Sequence, residues 1–402
     1  MPAFSKDGSQ LRRSEILSEC RYQAPYTKKL SNSEWKVSYW REDRDINAFH
    51  HQWHELNAEK QRRPEYPDWN EPNYKHGELF LYFHQQFLAR YDMERLSNRL
   101  PRTKSLSEWS RNYRIPENYI PDIVSGFHER CAYESIGKME RMIPNRKAIE
   151  EDIESKILKY TSHGPISLDN NKGVSTLGCV LESDFYSKCR DINETRYGVQ
   201  GLHNMGHNYL DEIGCSRTKE KGKKKSGILT TTDAVARDPL FWRWHKFFND
   251  LYEKHKATLK QYSKNKLILE QLEVSDFSIK SKDMDDHDTS NKLYTFNSWQ
   301  KTLYKKYGCW YQPHMNSNPF KYIIRINNKI KEESKVNIRI YMAPLHNEAS
   351  RKLRFDEQRM QWVLMDRFSH TLHRGRNLMS RSSCESTVTV DPPLSMEQIR
   401  EH

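Results

Sequence analysis

The sequence predicts an α+β protein in which a mainly helical domain precedes an antiparallel β domain. Three observations carry this. Apolar residues at three- and four-residue spacing fill long stretches of the first 280 of the 402 residues. Later, β-branched residues alternate with polar ones, as in Val336, Ile338, Ile340 and Met342. Between the two patterns lies the polar stretch SKDMDDHDTSN. The expected division is an N-terminal segment 1–30, a helical domain 31–280, a linker 281–291 and a β domain 292–402.

The elements follow in order. Ile46, Phe49, His50, Trp53 and His54 form one helical face behind the acidic Glu42 and Asp43, which suit a first turn, and Pro64 and Pro67 end it. From Gly77 to Leu100 the chain is apolar most of the way round, which predicts a buried helix stopped by Pro101. Residues 101–180 read as irregular structure wrapping the helices. A third helix is expected over Asp184–Ile213 and a fourth over Pro239–Tyr262, the latter capped by Asp238 with proline in the first position, where no amide hydrogen is needed. Strands are expected at Lys321–Ile326, Val336–Met342, Trp362–Asp366, Phe368–Leu372 and Thr387–Val390.

Hydrophobic residues are 36% and aromatic residues 12%, with 10 Trp and 22 Tyr, too aromatic for a disordered chain. No window approaches the apolar length of a membrane span, and the start, MPAFSKDGSQLRRSE, has no apolar core of a signal peptide. A net charge of +12 raises the question of nucleic acid. Its one dense run, Lys219–Lys225 (KEKGKKK), has no interleaved aromatics to stack bases, so a solvated loop and no specific nucleic-acid partner are expected. Seven Cys without a CxxC pair exclude a disulfide framework and leave room for one or two bridges.

The histidines carry the chemistry. His50 and His54 sit four apart on one predicted helix, and His203 and His207 four apart on another, so each pair projects from one face. His84 lies inside the apolar Gly77–Leu100 helix, and His245 lies among Phe241, Trp242, Trp244 and Phe247. A histidine buried in such surroundings needs a partner. A lone HxxxH pair is more often ordinary surface, but two pairs joined by two buried histidines point to two three-imidazole sites facing each other from four helices. The glutamate general base of a zinc protease is absent, since His51 and Asn204 follow the first histidine of each pair. All-imidazole sites with an open position suit zinc, copper and iron, and the spacing favours a dinuclear centre with copper ahead of zinc.

Five blocks, in order, resemble the arthropod haemocyanin and prophenoloxidase family of type-3 copper proteins: YWREDRDINAFHHQWH (39–54), GELFLYFHQQFLARYDMERLSNRL (77–100), LHNMGH (202–207), ARDPLFWRWHKFFNDLYEKHK (236–256), and FDEQRMQWVLMDRF with SSCESTVTV near the C-terminus. The resemblance implies two copper ions, one held by His50, His54 and His84 and the other by His203, His207 and His245. It also implies a copper domain built on a four-helix bundle, followed by a β-sandwich. Family members usually begin with a helical domain that shields the copper site, and this chain starts almost directly at the copper domain. The run HQWHELNAEKQRRPEYP departs from the family pattern after the first pair, and the family's C-terminal end is cut short after the strand near Val390.

What the resemblance implies for function is phenol oxidation with dioxygen, in melanisation and innate defence. It is expected over oxygen carriage because the shielding domain and a signal peptide are not seen; a copper-free storage protein would not keep all six histidines. Carboxylates expected to handle protons are Glu194 first and Asp233 second, with Asn204 orienting a water or bonding a carbonyl. Arg237 and Asp238 read as a helix-start ion pair. Phenolic small molecules are the expected partners, with a homo- or hetero-oligomer in the haemolymph, the protein being secreted or stored in the cytoplasm and released.

Overall fold

Asp43 shows how the first long helix begins: its carboxylate accepts from the Asp45 amide at 2.8 Å and the Ile46 amide at 3.2 Å, satisfying two of the helix's free donors. The computed structural model describes residues 33–388 except 122–126, 171, 183–195, 199, 215–225, 282–292, 294, 305–307 and 331. It also describes the two-residue strands Ala3–Phe4, Gln10–Leu11 and Arg21–Tyr22.

Among the described residues, six helices of nine or more residues build the first unit: α1 Arg44–Arg62, α2 His76–Ser97, α3 Ile143–Ser155, α4 Gly173–Leu181, α5 Gly201–Asp211 and α6 Pro239–Thr258. Helix α2 buries 14 of its 22 residues, among them Phe80, Phe83, Phe87 and Tyr91, as its all-round apolarity requires. Trp40, Phe87, Tyr91 and Trp242 interlock there, with Tyr91 stacked on Trp242 at a centroid distance of 4.2 Å. Aromatic rings of this size supply much of the apolar burial that offsets chain entropy.

The stretch expected to be irregular, 101–180, holds helices α3 and α4. Helix α4, GVSTLGCVL, is buried nearly throughout, so it shows no polar face from which its period can be read. It crosses α2 at a glycine contact: a side chain on Gly178 would begin 2.2 Å from the Gly77 carbonyl oxygen. The helix expected from Asp184 is found over Gly201–Asp211; Gly198 and Gly201 both have φ in the left-handed region, which breaks a continuous helix, and 183–195 lie outside the described residues. Helix α6 ends at Thr258 rather than Tyr262. The basic run Lys219–Lys225 also lies outside the described residues.

In chain order the long strands among the described residues are β1 Leu272–Ser281, β2 Thr295–Tyr304, β3 Gly308–Ser317, β4 Phe320–Asn328, β5 Ser334–Met342, β6 Val363–Leu372 and β7 Gly375–Ser382. Most of β2 and β3, residues 298–314, belongs to the first unit, and the other five strands belong to the second. Strand β4 runs antiparallel between β7 and β1, and β5 pairs antiparallel with β6. The inward residues of these two sheets, Tyr322, Ile324, Ile326, Ile340, Leu372 and Met379, form one core, the packing of a β-sandwich. Strand β1 precedes the polar stretch expected as linker, so the change from helix to strand comes between Thr258 and Leu272; residues 282–292 lie outside the described residues.

Two further differences have local causes. Met342 is exposed, just past a register shift that leaves Met365 of β6 without a cross-strand partner, so the buried alternation from Val336 ends at Ile340. Trp362–Asp366 and Phe368–Leu372 are a single strand, with Trp362 just outside it, and Asp366 is fully buried in its middle. The Asp366 carboxylate accepts from Arg381 Nε and from the amide of Thr387, both at 3.0 Å. Thr387 and Val388 are thereby held in a turn instead of the expected strand, and Thr389 and Val390 lie outside the described residues.

Candidate metal centre

Helices α1 and α2 bring His50, His54 and His84 together, and α5 and α6 bring His203, His207 and His245 together. Within each set one ring nitrogen per histidine lies within 4.8 Å of the others. In the second set His203 Nε2 is 3.0 Å from His207 Nε2 and 3.4 Å from His245 Nε2. Glycine makes this approach possible: a side chain on Gly206, between the two α5 histidines, would begin 1.9 Å from the Trp244 ring, and Trp244 precedes His245. Trp244 Nε1 donates to the His203 carbonyl at 3.3 Å.

Hydrogen bonds at the outer nitrogens fix the tautomers. His50 Nδ1 donates to the Thr232 carbonyl at 2.9 Å, His84 Nδ1 to the Phe80 carbonyl at 2.9 Å and His207 Nδ1 to the Leu229 carbonyl at 2.7 Å. His203 Nδ1 donates to Asn204 Oδ1 at 2.8 Å. Each Nε2 is then left with its lone pair directed inward. His50 Nε2 and His84 Nε2 are buried and have no hydrogen-bond partner among the described residues. Buried acceptors left this way are costly, and a cation between them satisfies them.

Burial sets the charge state. It pushes His50 and His207 down to about 4, and His54, His84, His203 and His245 well below the usual histidine range. Neighbouring imidazoles lower most of them further. Neutral imidazole is the form that binds metal, so both sets fit a metal ion as they stand. A cleft of about 330 Å³ reaches both, with His50, His54, His203 and His207 among its walls beside Trp53, Glu182, Leu229 and Thr232.

Residues 5–252 match the family described as hemocyanin, copper containing domain, and residues 261–402 match hemocyanin, ig-like domain. The chain belongs to the haemocyanin family. Haemocyanin-family copper domains bind two copper ions, which accounts for two sets of three imidazoles in one unit. The chain is 30% identical to the hemocyanin AA6 chain of Androctonus australis, over 94% of this chain and 60% of that protein. It is also 30% identical to phenoloxidase 2 of Holotrichia diomphalia, over 91% of this chain and 54% of that one. Among solved structures, a scorpion hemocyanin matches with a TM-score of 0.77 at 30% identity, over 96% of this chain and 62% of that one. A crustacean hemolymph-type prophenoloxidase matches in fold with a TM-score of 0.75 at 24% identity, over 90% and 58%. The chain thus spans a little over half the length of these relatives.

The other expected site residues divide. Asn204 is bonded to His203, and Glu194 lies outside the described residues. Asp233 is exposed and is not among the residues lining the cleft. Asp238 caps α6 through the Leu240 amide at 2.8 Å, but its ion-pair partner is the buried Arg130, while Arg237 faces Glu42 at 3.8 Å. Sequence reading missed Glu182, His76 and Thr232. The one available signal was an acid ending the apolar run LGCVL. Cys131 and Cys179 each take part in a disulfide, and Cys384 is free and exposed. No helix among the described residues is long and apolar enough to cross a membrane.

Proposed function

We propose that this protein is a phenoloxidase, oxidising mono- or diphenols to quinones with dioxygen at a dinuclear copper centre held by His50, His54, His84, His203, His207 and His245. The observation that carries the reading is the cleft of about 330 Å³ that reaches ligands of both sets, a volume at the lower end of small-molecule sites. Copper bound to the two sets supplies dioxygen binding and the capacity to accept electrons from the phenol.

The chain's own residues do the rest. Leu229 and Val235 give the cleft apolar wall against which an aromatic ring can lie, and Thr230 and Thr232 offer hydroxyls beside it. Carbonyls of Phe80, Leu229 and Thr232 hold three imidazoles in one tautomer, so no reorganisation is needed when a ligand enters. Asn204 does the same for His203, and we read it as a positioning residue. Glu194 is proposed as the proton acceptor on its nearness in sequence to His203. A role in melanisation and defence, secretion into body fluid, and assembly into oligomers are part of the same reading.

Oxygen carriage is the second reading, supported by 30% identity to the hemocyanin AA6 chain of Androctonus australis, equal to that with phenoloxidase 2 of Holotrichia diomphalia. Copper-loaded protein given catechol separates them: quinone formation supports the enzyme, and reversible oxygen uptake with catechol unchanged supports the carrier.

A further inference from the structure

Of the six candidate ligands, His54 is the one whose Nδ1 faces an anion among the described residues. The outer nitrogens of His50, His84, His203 and His207 all meet neutral oxygens, whereas Glu182 Oε1 lies 3.7 Å from His54 Nδ1. That separation is beyond a hydrogen bond, so the carboxylate faces the neutral ring as a nearby negative charge. The carboxylate is itself fixed: His76 Nε2 donates to Glu182 Oε2 at 2.8 Å, and both side chains are less than one-tenth exposed. Trp53 lies over the His76 ring with planes 25° apart and meets His54 edge-on, closing the group from one side.

We infer that Glu182, clamped by His76, is the positioning residue of His54, and makes the first copper position electronically distinct from the second. This rests on the dinuclear copper reading above. A carboxylate behind a ligating imidazole orients the ring and raises its basicity, and losing such a partner typically lowers metal affinity about 10–100-fold. The second set has no counterpart of this carboxylate among the described residues.

The test is stepwise copper(I) competition against a chromophoric chelator, with far-UV circular dichroism on each variant. The unsubstituted chain, Glu182→Ala, Glu182→Gln, His54→Ala and the double variant His54→Ala/Glu182→Ala are compared. Glu182→Ala is expected to weaken one of the two ions about 10–100-fold and leave the other unchanged. Glu182→Gln, which keeps the shape and an acceptor oxygen, recovers part of the loss and carries the test should the alanine variant fail to fold. In the His54→Ala background, Glu182→Ala adds nothing. Equal weakening of both ions, no weakening of either, or a further loss in the His54→Ala background overturns the inference. An unsubstituted chain that takes up no copper overturns it together with the dinuclear reading, while one that binds both ions but oxidises no catechol removes only the phenoloxidase reading.

Discussion

His84 and His245 stack face to face, their ring centroids 4.2 Å apart and their planes 7° from parallel, although one belongs to each histidine set. Helices α2 and α6 therefore share a wall at the centre. The two positions are neighbours by packing, before any metal is considered.

Copper content follows from the two complete sets. The purified chain is expected to bind two copper ions, and His84→Ala or His245→Ala to reduce this to about one, read by metal analysis. Two ions retained in both variants would show that the sets are not the ligands.

His207 reaches the cleft, and its carbonyl partner Leu229 holds its ring. His207→Ala is expected to abolish catechol oxidation while the far-UV circular dichroism spectrum stays unchanged. Residual oxidation near the original rate would place the chemistry elsewhere.

Gly206→Ala places a methyl group against the Trp244 ring. Overpacking of this kind costs about 1–3 kcal/mol, and it separates His203 and His207 from His245. Lower thermal stability with loss of one copper ion is expected; a variant with unchanged midpoint and two ions would contradict the packing argument.

Acid should weaken the helical unit through Glu34. Burial raises the pKa of this carboxyl, but Arg41 and Arg95 beside it more than reverse that and hold it below the usual 4.5. Its folded-state pKa is thus below its unfolded one, so its contribution is complete above about pH 4.5 and is lost as pH falls through the folded value. Glu34→Gln leaves the fully buried Arg41 without its charge partner at 3.1 Å and is expected to cost about 3–5 kcal/mol near neutral pH. The variant should also lose less stability than the unsubstituted apoprotein on going from pH 6 to pH 3. Parallel pH profiles of melting temperature would refute this.

The sequence by itself determined a good deal. Two HxxxH pairs and two histidines in aromatic helices identified the six ligand candidates, because i and i+4 residues share a helix face whatever the tertiary context. Asp238 followed by proline marked the start of α6, since capping is local chemistry. Helix α4 was invisible because a segment buried on every side has no period, and Glu182 at its end acquires meaning only when α4 lies against α2 and faces α1. Arg130 and Asp238 are 108 residues apart, so no spacing rule could join them. The buried Asp366 broke a strand's apolar pattern for a partner, Arg381, supplied by another strand. Chain-local periodicity and capping reach only a few residues, whereas the partners of buried polar groups are set by which helices and strands come to lie side by side.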